Sequence, residues 1–268
     1  MDSGLINNTP LTPFLHVKGL AALVRRNPVR QNTVRFPNHN RTLVIMAKAP
    51  RLGMVKTRLT QSLPAAAVTE LYRCLLLDTV ALAQSLPGVK LAIMCPNSDR
   101  EDLTHFLSDK VQVVAQSGAG LAAGLTSVFA HFTASGSEYV IAFNSDSPHL
   151  PASLLEGAFL TLATHDLVVG PTHDGGYYLV GAKAGHPSLF ETDGMGTKSA
   201  LEGLLTRARA LDLSTGLTEP FYDIDVPDDL IRLAAELQIA PGRAPETAGW
   251  FKEWGLAVAQ LRTGSRGL

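Results

Sequence analysis

The sequence predicts an α/β domain of three layers, with a mostly parallel central sheet between two layers of helices. Three observations predict it. From Thr42 onward, short apolar runs alternate with longer segments whose apolar residues recur at helical spacing. Such alternation places parallel strands side by side and returns the chain through helices on both faces. Polar clusters follow the strands, at the edge where open α/β sheets hold their ligands. No linker and no internal repeat interrupts residues 42–237, so a single domain is expected over 41–240.

Leu43 to Ala47 reads as a buried strand. Pro64 to Leu86 is helical, with Leu71, Leu75, Leu76, Val80 and Leu82 on its apolar face. Strands follow at Val89 to Cys95 and Val111 to Ala115, separated by a short helix from Asp99 to Leu107. A helix from Gly120 to Phe132 opens just after Ser117-Gly118-Ala119-Gly120. Tyr139 to Phe143 is a strand ending at Asn144-Ser145-Asp146, and Pro151 to Ala163 a helix. Leu167 to Gly170 and Tyr177 to Gly181 are strands around His173-Asp174-Gly175-Gly176. Thr197 to Ala208 is a helix, Tyr222 to Asp225 a short strand, and Pro227 to Leu237 a helix with proline in its first turn. Residues 241–268 form a helical extension, its helix running from Trp250 to Leu261.

Composition narrows the function. The 268 residues carry a net charge of −1, which gives no electrostatic case for nucleic acid or acidic membrane. No apolar run approaches the ~20 residues that span a bilayer. The two cysteines, Cys74 and Cys95, fall within apolar patterns and suit a reducing cytoplasm. Residues 1–40 differ: they are basic and broken by prolines, and are expected to be a disordered extension.

Four clusters carry chemistry. The first is the loop after the opening strand, with Lys48, Arg51, Lys56 and Arg58 around a bend at Gly53. Cations beside a glycine-bent backbone suit phosphate oxygens. They also stand near a helix start, whose dipole opposes them, so a bound anion relieves a local cost. The loop matches neither a Walker A nor a dinucleotide-binding glycine pattern. The second is Asp146, which closes a buried strand before Pro148 and suits a hard divalent cation, Mg²⁺ or Mn²⁺. The third is Asp223-Ile224-Asp225, with both carboxylates on one side; Asp225 is favoured as the second metal ligand. The fourth is Asp174-Gly175-Gly176, which is good hairpin chemistry and equally a contact for an acceptor substrate. Free amides at Gly118 and Gly120 can meet a phosphate or a base edge.

Four segments, AKAPRLGMVKTRL, NSDSPHL, GPTHDGGYYLVG and DIDVPDDL, occur in that order over about residues 42–237. Together they resemble the DUF2064 family, GT-A-type (Rossmann-like) proteins labelled glycosyltransferases or nucleotide-diphospho-sugar transferases. The first loop and SGAGLAAGL are also similar to the small guanylyltransferases that activate 2-phospholactate. The resemblance implies a GT-A nucleotide-binding fold, a catalytic metal on Asp146, and a basic loop of Lys48, Lys56 and Arg58. The chain departs from the family's Gly-Thr-Asp-Cys-Pro-Asp-Leu form: Asn144, Ser145, Ser147 and His149 replace the companions of Asp146 and Pro148.

Two reactions fit these residues. In the favoured one, an NTP lays its phosphates on Lys48, Lys56 and Arg58. A small phosphorylated or carboxylated acceptor near Asp174 then attacks the α-phosphorus. In the alternative, the donor is a nucleotide-diphospho-sugar and Asp174 is the base on an acceptor hydroxyl. A non-catalytic nucleotide-binding module is the third reading. Lys56, Asp146 and Asp174 are the expected catalytic groups.

Overall fold

The computed structural model describes residues 40–107, 111–190 and 199–264. The basic extension expected over residues 1–40 lies outside them but for Asn40, and so does the expected helix start at Thr197. Among the described residues, seven strands form one sheet: β1 (Arg41–Met46), β2 (Val89–Cys95), β3 (Gln112–Ala115), β4 (Tyr139–Asn144), β5 (Leu167–Pro171), β6 (Tyr177–Ala182) and β7 (Thr215–Leu217). Their order is β3-β2-β1-β4-β6-β5-β7. β1 pairs in parallel with β2 and β4, β2 with β3, and β5 with β7. β6 is antiparallel to both its neighbours, β4 and β5, and is the one reversed strand.

The central strand explains its own position. Leu43, Val44 and Ile45 of β1 are all fully buried, because a strand covered on both faces is apolar throughout rather than alternating. Leu43 and Ile45 pack toward α1 (Ala65–Gln84), α2 (Arg100–Leu107) and α4 (Ala152–Thr164). Val44 and Met94 pack toward α3 (Gly120–Ala134) and α5 (Ala200–Ala210). A third apolar cluster lies between α1, α6 (Pro227–Ile239) and α7 (Pro245–Gly264). Chain order reverses beside β1, with β2 on one flank and β4 on the other, which opens a crevice at their carboxyl ends.

Two elements differ from the sequence reading. Tyr222 to Asp225 is not a strand, although Tyr222 and Ile224 are buried as its alternation implies. Its backbone is spent elsewhere: the Ile224 amide donates to the Asp146 carbonyl at 3.2 Å, and the Phe221 amide to the Pro171 carbonyl at 3.0 Å. The seventh strand is instead β7, three residues long with Gly216 at its centre, too short to show a period.

The last helix also begins earlier, at Pro245 rather than Trp250. Its cap comes from a distant residue. The Asp78 carboxylate, on α1, accepts from the Glu246 amide (3.1 Å), the Thr247 amide (2.8 Å) and the Thr247 hydroxyl (2.7 Å). A cap supplied by another helix leaves no local signal. Asp78→Ala strips those buried donors of their acceptor and is expected to cost about 2–4 kcal/mol. Urea unfolding checks this as a lower midpoint at unchanged slope. A loss under about 0.5 kcal/mol, the level of an ordinary surface change, would mean the carboxylate does not hold α7.

Candidate active site

The loop leaving β1 is tied down before it reaches the crevice. The Lys48 amide donates to the Tyr72 hydroxyl at 3.0 Å, and the Ala49 amide to Asp99 Oδ2 at 2.9 Å. Arg51 is a strap: it donates to Asp99 and Asp102 (both 2.8 Å) and to the Ser98 carbonyl (2.6 Å). Its charge is consumed by those acids, which separates it from the three loop cations that face the crevice. The loop then turns at Gly53, and Lys56 takes a left-handed φ of +47°.

That turn brings Lys56 back over the end of β4. Its side chain is 7 % exposed, and its ammonium donates to Asp146 Oδ2 and, at 2.7 Å, to Asp225 Oδ1. Arg58 Nη1 reaches the other oxygen of Asp225 at 3.1 Å. Asp146 is placed by its neighbours. The Tyr72 and Ser145 hydroxyls bond at 3.1 Å, and the Ser147 hydroxyl donates to the Tyr222 carbonyl at 3.1 Å. Asp229, in the first turn of α6, accepts from the amides of Asp225 (3.0 Å) and Val226 (2.9 Å), which fixes Asp225 in turn.

Asp146, Asp223 and Asp225 each present a carboxylate oxygen, all within 4.8 Å of one another. Burial, with the charges of Asp146 and Asp225, pushes the Asp223 carboxyl up to about 7. Burial also works against ionised Asp225, but Lys56 and Arg58 outweigh it and hold that carboxyl below its ordinary range. Lys56 is kept protonated: burial opposes its charge, and Asp146 and Asp225 overcome that cost. Asp146 Oδ1 is buried and finds no hydrogen-bond donor among the described residues. Three convergent carboxylates with an unsatisfied oxygen form an all-oxygen donor set, which fits Mg²⁺ or Mn²⁺.

Two cavities meet at these acids. The first, about 640 Å³, is lined by Lys48, Lys56, Arg58, Gly120, Asp146 and Asp225, with Met46, Met94 and Leu121 as apolar walls. The second, about 560 Å³, is lined by Asp174, Gly176 and Asp223, and shares Arg58, Asp146 and Asp225 with the first. Gly53, Gly118 and Gly175 line neither of them. Gly118 serves the backbone: its φ is +82°, and a Cβ there would meet Ala123 Cβ at 3.0 Å. Asp174 does turn work while facing the second cavity, its Oδ1 accepting from the Thr172 hydroxyl and the Gly176 amide.

Two lining residues escaped sequence reasoning. Tyr72 sits in the apolar stripe of α1 and reads as core, yet its hydroxyl joins the β1 and β4 loops. Gln116 closes the loop before α3, donating to the carbonyls of Gly118 (3.0 Å) and Gly120 (3.1 Å). Among the described residues no side chain caps α3, whose first residues Gly120 and Leu121 line the first cavity.

Known proteins share this architecture. The DUF2064 family model, described as an uncharacterized protein conserved in bacteria, matches residues 79–197. That span holds Asp146 and the Asp174 turn; the basic loop and Asp225 lie outside it. A structure from Desulfovibrio desulfuricans G20, carrying the provisional name nucleotide-diphospho-sugar transferase, superposes with a TM-score of 0.77 at 24 % identity, over 82 % of this chain and 97 % of that one. A nucleotidyl transferase from Methanothermobacter thermautotroptrophicus superposes with a TM-score of 0.50 at 18 % identity, over 75 % of this chain and 99 % of that one. Among curated proteins, none matches the chain in sequence. The chain is therefore similar to the DUF2064 family through its middle, and its fold is the GT-A-like α/β fold seen in those two structures.

Proposed function

We propose that the protein is a metal-dependent transferase with a nucleotide donor, and that its reaction is nucleotidyl transfer from an NTP to a small phosphorylated or carboxylated acceptor. One observation carries this reading: three loop cations and two carboxylates line the same cavity. A triphosphate needs both, cations for its oxygens and acids for the metal that accompanies it. The names of the two structural neighbours agree with a nucleotide-using transferase.

In this reading Lys48 and Arg58 bind phosphate oxygens, and the uncapped start of α3 adds amide donors. Met46, Met94 and Leu121 offer the flat apolar contact a base requires. Asp146 and Asp225 would hold Mg²⁺ or Mn²⁺, which supplies charge neutralisation on the phosphates. An acceptor phosphate or carboxylate brings its own ionised oxygen, so no protein base is needed. That oxygen bonds to the α-phosphorus, the bond to the β-phosphate oxygen breaks, and pyrophosphate leaves. Arg58 lines both cavities, which supports a contact with the acceptor anion beside its contact with the donor's phosphates.

One observation favours glycosyl transfer as the second reading. Asp174 and Asp223 line the second cavity, and carboxylates there suit acceptor hydroxyls, with Asp174 as base. Pyrophosphate release separates the two. With Mg²⁺, one NTP and a pool of phosphorylated and carboxylated acceptors, release is expected, and Arg58→Ala is expected to lower it about a hundredfold. If no NTP yields pyrophosphate while a sugar nucleotide yields its nucleoside diphosphate, the second reading replaces the first.

A further inference from the structure

Lys56 lines the first cavity, yet its ammonium is held by two of the acids there. Its side chain is nearly buried and its ammonium divides itself between Asp146 and Asp225, two of the three acids that fit a divalent ion. Those partners are 90 and 169 residues away in the chain, so the contact is built by the fold and not by local sequence. The backbone beneath it is held at φ +47°, a left-handed conformation that a side-chain-bearing residue keeps only when its surroundings impose it. In the same loop Leu52 and Met54 are 68 % and 67 % exposed, whereas Val55, next to Lys56, is buried and anchors the turn.

We propose that Lys56 is a built-in substitute for the metal: it neutralises Asp146 and Asp225 while the donor is absent, and gives them up to the divalent ion as it moves to the donor's phosphates. This rests on the metal reading of Asp146 and Asp225. Both halves follow from charge. Two buried carboxylates without a counter-ion are costly, and one ammonium between them removes most of that cost. A divalent ion arriving alone must compete with that ammonium. An ion arriving with a nucleotide offers Lys56 phosphate oxygens in exchange. Metal and donor are thereby made to enter together, and the bare ion is disfavoured.

The test uses Mn²⁺ alone, titrated into the full chain by calorimetry without nucleotide. Lys56→Met keeps most of the side-chain volume and removes the charge. It is expected to bind Mn²⁺ at least about tenfold more tightly than the unaltered protein, a difference of 1.4 kcal/mol. Without metal, Lys56→Met is expected to melt at a lower temperature, and Mn²⁺ is expected to restore it. Adding Asp146→Asn to Lys56→Met should abolish the gained affinity. Equal or weaker binding by Lys56→Met, with Asp146→Asn still abolishing binding, would overturn the exchange and leave the metal site standing. Binding indifferent to both substitutions would overturn the metal reading, and the exchange with it.

Discussion

Asp146→Asn is expected to lower kcat/KM by about a thousandfold or more, some 4 kcal/mol of barrier, while the protein stays folded. Asp146 ends β4 at the junction of the two cavities and carries both a Lys56 contact and an unsatisfied buried oxygen. An amide keeps the size of the group and removes the charge that would hold the metal. Folding survives because the loop is fixed by backbone and hydroxyl bonds that do not use the carboxylate, such as Ile224 to the Asp146 carbonyl and Ser147 to Tyr222. Asp225→Asn is expected to cost less, since its side chain is 38 % exposed and shared with Arg58. Turnover measured at saturating metal, beside a melting curve of each variant, checks both. Full activity in Asp146→Asn would remove the metal assignment.

His149 sets the second large effect, on stability in acid. The ring is buried, 4.9 Å from the Phe221 ring and 4.4 Å from the Tyr222 ring, and neither nitrogen has a hydrogen-bond partner among the described residues. Burial, assisted by Arg232 and Arg243, pushes its pKa down to about 3. The folded protein therefore keeps this ring neutral, while the unfolded chain takes up a proton near pH 6.5. The stabilisation is whole above pH 6.5 and is lost as pH falls from there toward 3. The slope is about 1.4 kcal/mol per pH unit, or roughly 2.5 kcal/mol between pH 6.5 and 4.5. Carboxylates contribute to the same range, so the informative quantity is a difference between variants. His149→Phe retains an aromatic ring and removes the proton site, and its stability is expected to fall less steeply by that slope. Urea unfolding across pH 4.5–7 checks it; parallel curves for the two proteins would show that His149 is not the group responsible.

The parts legible in the sequence share one property: their signal is local. Lys48, Lys56 and Arg58, which line the first cavity, stood out because cations collected around a bend directly after an apolar run. Asp146, in the same cavity, stood out because a carboxylate closed such a run ahead of a proline. Asp223 and Asp225 could be placed on one side because Tyr222 and Ile224 alternate with them, even though the segment is no strand. The illegible parts are long-range. Arg51 looks identical in sequence to the cations facing the crevice, and only the approach of Asp99 and Asp102 turns it into a strap. Tyr72 reads as core until its hydroxyl is found between two loops. Lys56 reads as a phosphate ligand, and only the fold adds its contacts with Asp146 and Asp225. Local pattern identified the site's chemical inventory, and tertiary contact decided which member faces which.

The central claim is that a nucleotide and a divalent ion occupy the first cavity together, and a thermal-shift panel tests it most directly. Each NTP and each common sugar nucleotide is added with Mg²⁺ or Mn²⁺ and again with chelator. A ligand at about 100 times its dissociation constant adds roughly 2.7 kcal/mol to the folded state, a rise of several degrees for a domain of this size. The predicted result is a metal-dependent rise with one NTP, absent for the others and absent with chelator. No rise with any nucleotide, with or without metal, would contradict the account and leave a fold that has kept these carboxylates without a donor.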